Sequence, residues 1–315
     1  MSSTTFKGVT DIGDKHLSEI ITDNLIFFVD WGLLNIGGYF NVTIPTSGQY
    51  GGDRSVLKLV KDPRFTDGTV WESFAKNWVW ETSLETAQQP INVSGVYLNG
   101  TFHSVNTNHY IDYNNGRVIF NSALPTNSVV KANYSYKHVD VSDGHDIPWL
   151  SRPVPNYARI DNSTYAQLGS GDYSEMPERK IQLPTIAVEV NAIASTRGHS
   201  LGTGYRYAKN NVLFHILSDN DGTCKKLADI LVDQKDKTIF MFDSNKIADS
   251  GAYPLDSRGM KRSEAINYPT MVSDSGYVWN KLLFKETNAQ NTQRLKDNIY
   301  YTVVKIETDI VLFKV

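Results

Sequence analysis

The chain has a single cysteine, Cys224, among 315 residues, so it cannot close an internal disulfide or build a cysteine-based zinc site of the usual kind. A buried, inert thiol is the expected role. Charge of one sign is also lacking: 31 Lys plus Arg stand against 34 Asp plus Glu, and no basic excess exists to grip a phosphate backbone. No stretch approaches the ~18 uninterrupted apolar residues of a membrane helix, and Met1-Ser2-Ser3-Thr4-Thr5 lacks the basic-then-apolar order of a secretion signal. A soluble protein made in a cytoplasm is expected. Charged residues make up only 21%, whereas 17 Tyr, 13 Phe and 6 Trp accompany many Asn, Thr, Ser and Gly. That is a strand-and-loop composition. The length allows about two domains of the usual ~100–200 residues.

Catalytic spacings are missing as well. There is no Gly-x-x-x-x-Gly-Lys-Ser/Thr phosphate loop, no His-Glu-x-x-His zinc pair and no Gly-x-Ser-x-Gly nucleophile turn. Gly202-x-Gly204 lacks the later glycine of a dinucleotide fingerprint. Asp219-Asn220-Asp221-Gly222 begins like a calcium loop, but its twelfth position is Ile230 where a bidentate Glu is needed, so a turn that caps a helix is expected instead. Of the seven histidines only His103 and His109 are close enough to share a hairpin, and a structural role is expected for them. Asp143, His145 and Asp146 form the one candidate acid/base group, in a Pro-rich loop where a solvated turn is the simpler reading. Five Asn-x-Ser/Thr sequons match chance in so Asn-rich a chain. No cofactor and no metal are expected.

What is present is periodicity. Leu17, Ile20, Ile21, Leu25, Phe28 and Trp31 recur at helical spacing and predict an amphipathic helix over 14–36, followed by a short strand before Pro45. A mobile loop is expected over 48–53. Trp71, Trp78 and Trp80 place half of the six tryptophans within ten positions. A core beneath a small sheet is the expected use, and a ligand-stacking platform the alternative. From Ile91 to Val141, apolar runs alternate with Asn99-Gly100 and Asn114-Asn115-Gly116, which read as an antiparallel meander. Pro148, Pro153, Pro155 and Pro177 then mark a linker or docking arm over 142–180.

The remainder reads as strand (Ile186, Val188, Val190), glycine-rich loop, strand (212–217), helix (223–234) and strand (238–242). A loop over 246–274, two long strands and the apolar tail Ile310-Val311-Leu312-Phe313 follow, the tail docking on its own core or on a partner. The fold class is thus α+β and β-rich. An N-terminal helix plus meander is assigned to 1–141, a linker to 142–180 and a mixed α/β domain to 181–315.

Leu183-Pro184-Thr185 with Ile186 to Val190, the strand Val212 to Leu217, the helix around Leu227-Ala228-Asp229-Ile230-Leu231 and Lys237 to Asp243 together resemble the core of tailed-bacteriophage tail terminator and neck proteins. The meander around Val96-Tyr97-Leu98-Asn99-Gly100 is similar to segments of phage virion proteins. The resemblance implies a structural virion protein without catalytic residues, assembled in the host cytoplasm. Its partners would be copies of itself in a ring, commonly a hexamer, and other tail, sheath or neck proteins. Nucleic acid would meet it only as passing genome, and no membrane contact is implied. Family members are shorter, so residues 1–180 would be an addition. Candidate interface residues are Arg197, Arg206, Arg258, Lys261, Arg262, Leu312 and Phe313, with docking of the 258–262 loop on acidic residues of a neighbouring subunit weighed against plain solvation. The alternative is a carbohydrate- or receptor-binding module of a phage tail or baseplate, resting on Trp71, Trp78, Trp80 and the Tyr-rich meander.

Overall fold

The computed structural model describes residues 11–44, 53–86, 88–144, 153–154, 181–191, 195–198, 206–296 and 298–312. Expectations about the 48–53 loop before Asp53, most of the 142–180 arm, His145, Asp146, the Gly202-Gly204 loop and Phe313 lie outside these residues.

Helix α1 runs over Leu17–Asn35, and the Glu19 carboxylate accepts from the His16 backbone N–H at 2.8 Å to close its first turn. Strands β1 (Tyr39–Val42), β2 (Val56–Val60), β3 (Val70–Glu72), β4 (Gly95–Leu98), β5 (Thr101–Ser104), β6 (His109–Asp112), β7 (Arg117–Phe120), β8 (Val130–Ala132), β9 (Tyr134–Lys137) and β10 (Asp140–Asp143) follow. The two hairpins expected from the Asn-Gly turns are present as β4–β5 and β6–β7. In the first, Asn99 and Gly100 take φ of 49° and 87°, the paired positive angles that a two-residue hairpin turn demands.

The meander expectation needs correction. The sheet order is β5-β4-β8-β2-β3-β7-β6, so the two hairpins sit at opposite ends and β8, β2 and β3 fill the middle. Laid flat, seven strands at ~4.8 Å spacing would hold β5 and β6 ~29 Å apart. Yet only residues 105–108 join them. Five backbone steps of at most ~3.6 Å reach ~18 Å, so the sheet must curl into an open barrel. Strand β2 is the corner, pairing with β8 through Val56 and Leu57 and with β3 through Lys58 to Val60. Leu57, Trp71, Val96, Ile111, Val118, Val130 and Tyr134 fill the interior. Trp78 stacks on Tyr134 with centroids 4.3 Å apart, and Trp71 and Trp80 are buried too. The three indoles are core, as expected, and the stacking platform they would have formed is not at the surface.

The second sheet contains β13 (Thr185–Val190), β15 (Arg206–Ser218), β16 (Thr238–Phe242), β17 (Val278–Ala289) and β19 (Ile299–Leu312), and β11 (Pro153–Val154) pairs with β12 (Ile181–Gln182) as a separate two-stranded sheet. Its order is β10-β13-β15-β19-β17-β16, while β14 (Ser195–Gly198) and β18 (Gln293–Lys296) pair with β15 and β19. Helix α2 (Asp221–Val232) starts in the Asp219–Gly222 turn, as expected, but its cap is Asn220, whose side chain accepts from the Thr223 N–H at 3.1 Å, and not the acidic residues expected to cap it. Short helix α4 (Tyr268–Ser273) lies within, and α3 (Ser244–Asp249) overlaps, the segment 246–274 read from sequence as loop.

Leu17, Ile21, Leu25, Val29 and Leu33 of α1 enter one core with Ile186, Val212, Phe214, Ile306 and Ile310 of this sheet and Cys224, Leu227 and Leu231 of α2. The helix that sequence order grouped with the barrel therefore packs on the second sheet. It touches β10 and β13 at one end of that sheet and β16 at the other. The sheet bends around α1. Strand β10 likewise leaves the barrel segment to pair in parallel with β13. Ile310, from the apolar tail, is fully buried in β19, the tail having become a central strand.

Candidate functional site

Where the barrel meets the second sheet, a cleft of ≈ 270 Å³ opens between α1, the segment around Asn77 and Trp80, the Asn114 turn, β9, β10 and residues 253–256. Helical spacing puts Ile26, Phe27 and Asp30 of α1 along one side. Strand alternation presents Lys137 from β9, and Asp140 follows on β10. The segment 253–262 closes the top as a strap. Leu255 packs into the barrel core, Tyr253 meets Phe27 edge-on at 5.9 Å, and the Gly259 carbonyl accepts from the Tyr113 N–H at 2.9 Å.

Charges converge on the floor of the cleft. The Lys137 ammonium donates to Asp30 Oδ2 at 2.5 Å and to Glu81 Oε1 at 2.7 Å, all three side chains being largely shielded. Burial pushes the Glu81 carboxyl up to about 7, against the opposing attraction of Lys137 and with the Asp30 charge adding to the rise. Burial works to lower Lys137, yet the negative charges of Asp30 and Glu81 outweigh it and hold the ammonium above its ordinary value. Asp140 is raised by burial, with Lys76 acting the other way. From the strap, Lys261 donates to the Trp80 carbonyl at 2.9 Å and lies over its indole, and burial lowers its pKa. Chemically, the cleft holds a buried carboxyl whose pKa burial raises, beside an amine whose charge two carboxylates stabilise. Among the described residues no group of three His, Cys, Asp or Glu stands in metal-holding range.

The basic residues singled out in sequence divide here. Lys261 finds its partners within its own chain. Arg258 pairs with Asp256 at 3.2 Å and lies over the Tyr110 ring, while Arg262 is exposed. Arg197 and Arg206 fall in the β14–β15 pair, one register step apart, and Leu312 pairs with Arg206 across β15–β19. Asp143 is in β10, in register with Val188 of β13, while His145 and Asp146 lie outside the described residues. His103 and His109 stand on the two edge strands of the barrel, near enough that His103 helps burial depress His109 to about 4. Asp30, Glu81, Lys137 and Asp140 were not singled out in sequence. Only one signal was available: Glu81 follows directly on an otherwise apolar Trp-Val-Trp run.

A second polar constellation lies on the face of the sheet turned away from α1. His215 Nε2 meets Glu189 Oε2 at 2.8 Å and its Nδ1 meets the Tyr301 hydroxyl at 2.7 Å. Both ring nitrogens are satisfied, tying β13, β15 and β19 together side by side.

The strap's seat depends on one glycine. Gly259 has φ 73°, and a Cβ there would stand 2.2 Å from Asp112 Oδ1. Gly259→Ala should therefore unseat the strap, costing ~1–3 kcal/mol. Hydrogen exchange is expected to show lost protection at the Tyr113 amide with β19 unchanged. Unaltered protection at Tyr113 would show that the strap tolerates the methyl group.

No protein-family model matches the chain, and no curated protein matches it.

Proposed function

We propose that this chain is a structural subunit of a tailed-phage virion that works at the neck or tail end by docking to copies of itself in a ring, without catalysis. The observation that carries the reading is the outer edge of β16. That strand pairs with β17 on one side and, among the described residues, with no strand on the other. Asn24 of α1 closes the edge only at Phe242, donating to its carbonyl at 2.9 Å and accepting from its N–H at 2.8 Å. Phe240, on the same strand, is half exposed, with the Lys281 ammonium over its ring at 4.7 Å. An open edge with a half-exposed aromatic is the kind of surface that pairs with another chain, and natural proteins otherwise blunt it. The tail-terminator resemblance of residues 183–243 includes this strand and supports the same reading.

Native mass spectrometry with negative-stain imaging tests it. A closed ring of more than two subunits is expected for the native chain, and Phe240→Asp should leave folded monomers, since it sets a charge in the docking edge. A monomer at every concentration, or a dimer that never grows, overturns the proposal. The carbohydrate-binding alternative keeps no support from the three tryptophans, because all are buried.

A further inference from the structure

Strand β16 leaves definite bonding positions open. The Phe242 N–H and C=O face outward to the Asn24 amide, while the Lys237 carbonyl faces inward and accepts from the Phe284 N–H at 2.9 Å. The period of two in a strand therefore turns the N–H and C=O of Thr238 and Phe240 outward as well. Asn24 fills one rung of a ladder as a neighbouring strand would, and the rungs at Thr238 and Phe240 have no strand opposite them among the described residues. The exposed Lys237 and Lys281 flank this edge, Lys281 lying over the Phe240 ring.

The chain carries a segment of the length and sequence to fill those rungs. Residues 155–180 connect β11 to β12, and because the two strands pair in parallel with Val154 opposite Gln182, the segment leaves and rejoins the fold at one place. Gln182 Oε1 accepts from the Lys76 N–H at 2.8 Å and ties that root to the barrel. Run out and back, 26 residues reach ~43 Å, about twice the ~20 Å radius of gyration of a folded chain this long. Between Pro155 and Gly169 thirteen residues include neither Pro nor Gly, and Tyr157, Ile160, Thr164 and Tyr165 among them favour strands. From 160 to 178 the segment holds Asp161, Asp172, Glu175 and Glu178 and no Lys or Arg, opposite in charge to the two lysines at the edge.

Resting on the ring reading above, we propose that residues 156–168 of one copy add a strand to the outer edge of β16 in the next. Root and acceptor stand far apart in the fold: β12 leads into β13, and three strands separate β13 from β16. A donor and an acceptor on different surfaces join copies head to tail, the arrangement that closes rings, whereas β16 paired with β16 stops at a dimer. Backbone bonds at Thr238 and Phe240 supply the pairing, and the carboxylates draw the segment to Lys237 and Lys281.

Two variants with complementary defects test this by native mass spectrometry. One replaces 157–178 by a short Gly-Ser turn, which the β11–β12 pair closes; the other is Phe240→Asp. Each alone should stay monomeric. Mixed, they should form a heterodimer and nothing larger, because the Phe240→Asp chain brings the only donor strand and the shortened chain the only clear edge. Ile160→Pro with Thr164→Pro removes two ladder donors at unchanged length and should behave as the shortened chain does, deciding in its place if that chain does not fold. Rings formed by the shortened or the double-proline chain overturn the donor segment and leave the ring reading standing. A mixture that stays monomeric while the native chain forms rings overturns it too, and a native chain that never forms rings overturns both.

Discussion

Arg117→Met is expected to destabilise the barrel by ~3–5 kcal/mol, the usual result of removing one partner from a buried charge group. The Arg117 guanidinium, 6% exposed, donates to Glu72 at 2.7 Å and to Asp62 at 3.0 Å, and those carboxylates are only 2% and 1% exposed. Methionine fills similar space but leaves two carboxylates buried, Glu72 at the end of β3 and Asp62 just beyond β2. Burial tends to raise Asp62, but hydrogen bonds from Arg64 and the positive charges of Arg64 and Arg117 outweigh it and hold the carboxyl below its usual range. The stability so gained is present above pH 3.8 and is lost as pH falls through the lower folded value. Denaturant unfolding measures the loss. Adding Glu72→Met to Arg117→Met should recover part of it, because the cycle removes the stranded charge; a double variant as unstable as the sum of the singles would show that the pair does not act as a unit.

Trp78→Ala should cost a comparable ~3–5 kcal/mol through the cavity it leaves. The indole is buried, stacks on Tyr134 at an interplanar angle of 15°, and its Nε1–H donates to Ser73 Oγ at 3.0 Å. A melting temperature lowered on the order of 10 °C is expected. Trp78→Phe keeps a ring against Tyr134 and should lose less than half as much. If alanine and phenylalanine melt alike, stacking contributes little and the hydrogen bond to Ser73 carries the effect.

The parts legible in the sequence are those decided by neighbours along the chain. Asn99-Gly100 announces its hairpin because both residues accept positive φ, and the Asp219–Gly222 turn announces a helix start because its short polar side chains reach N–H groups two or three residues on, as that of Asn220 does. The tryptophans announce a core because few other places take rings of that size. What escaped is what closure in space decides. No local pattern says that β8, β2 and β3 stand between the two hairpins, since Val130 and Leu57 meet across 73 positions for reasons of volume and curvature. The seat of α1 escaped for a related reason. Its apolar residues surround most of the helix, Leu17 to Leu33 facing one core and Trp31 and Leu34 another, so its pattern marks burial without naming a neighbour. The cleft was invisible for want of any motif: Lys137 lies 107 residues from Asp30 and 56 from Glu81.

Strand β19, the last of the described elements, lies between β15 and β17 in the middle of its sheet, and α1 lies on that sheet's concave side. During synthesis at ~5–20 residues per second, α1 therefore leaves the ribosome some tens of seconds before the surface that receives it exists. The barrel is complete in the nascent chain long before then, while the helix ahead of it waits with its apolar stripe in water. Translation arrested short of residue 299 yields a finished barrel joined to two disconnected groups of strands, with no half-formed version of the second sheet in between.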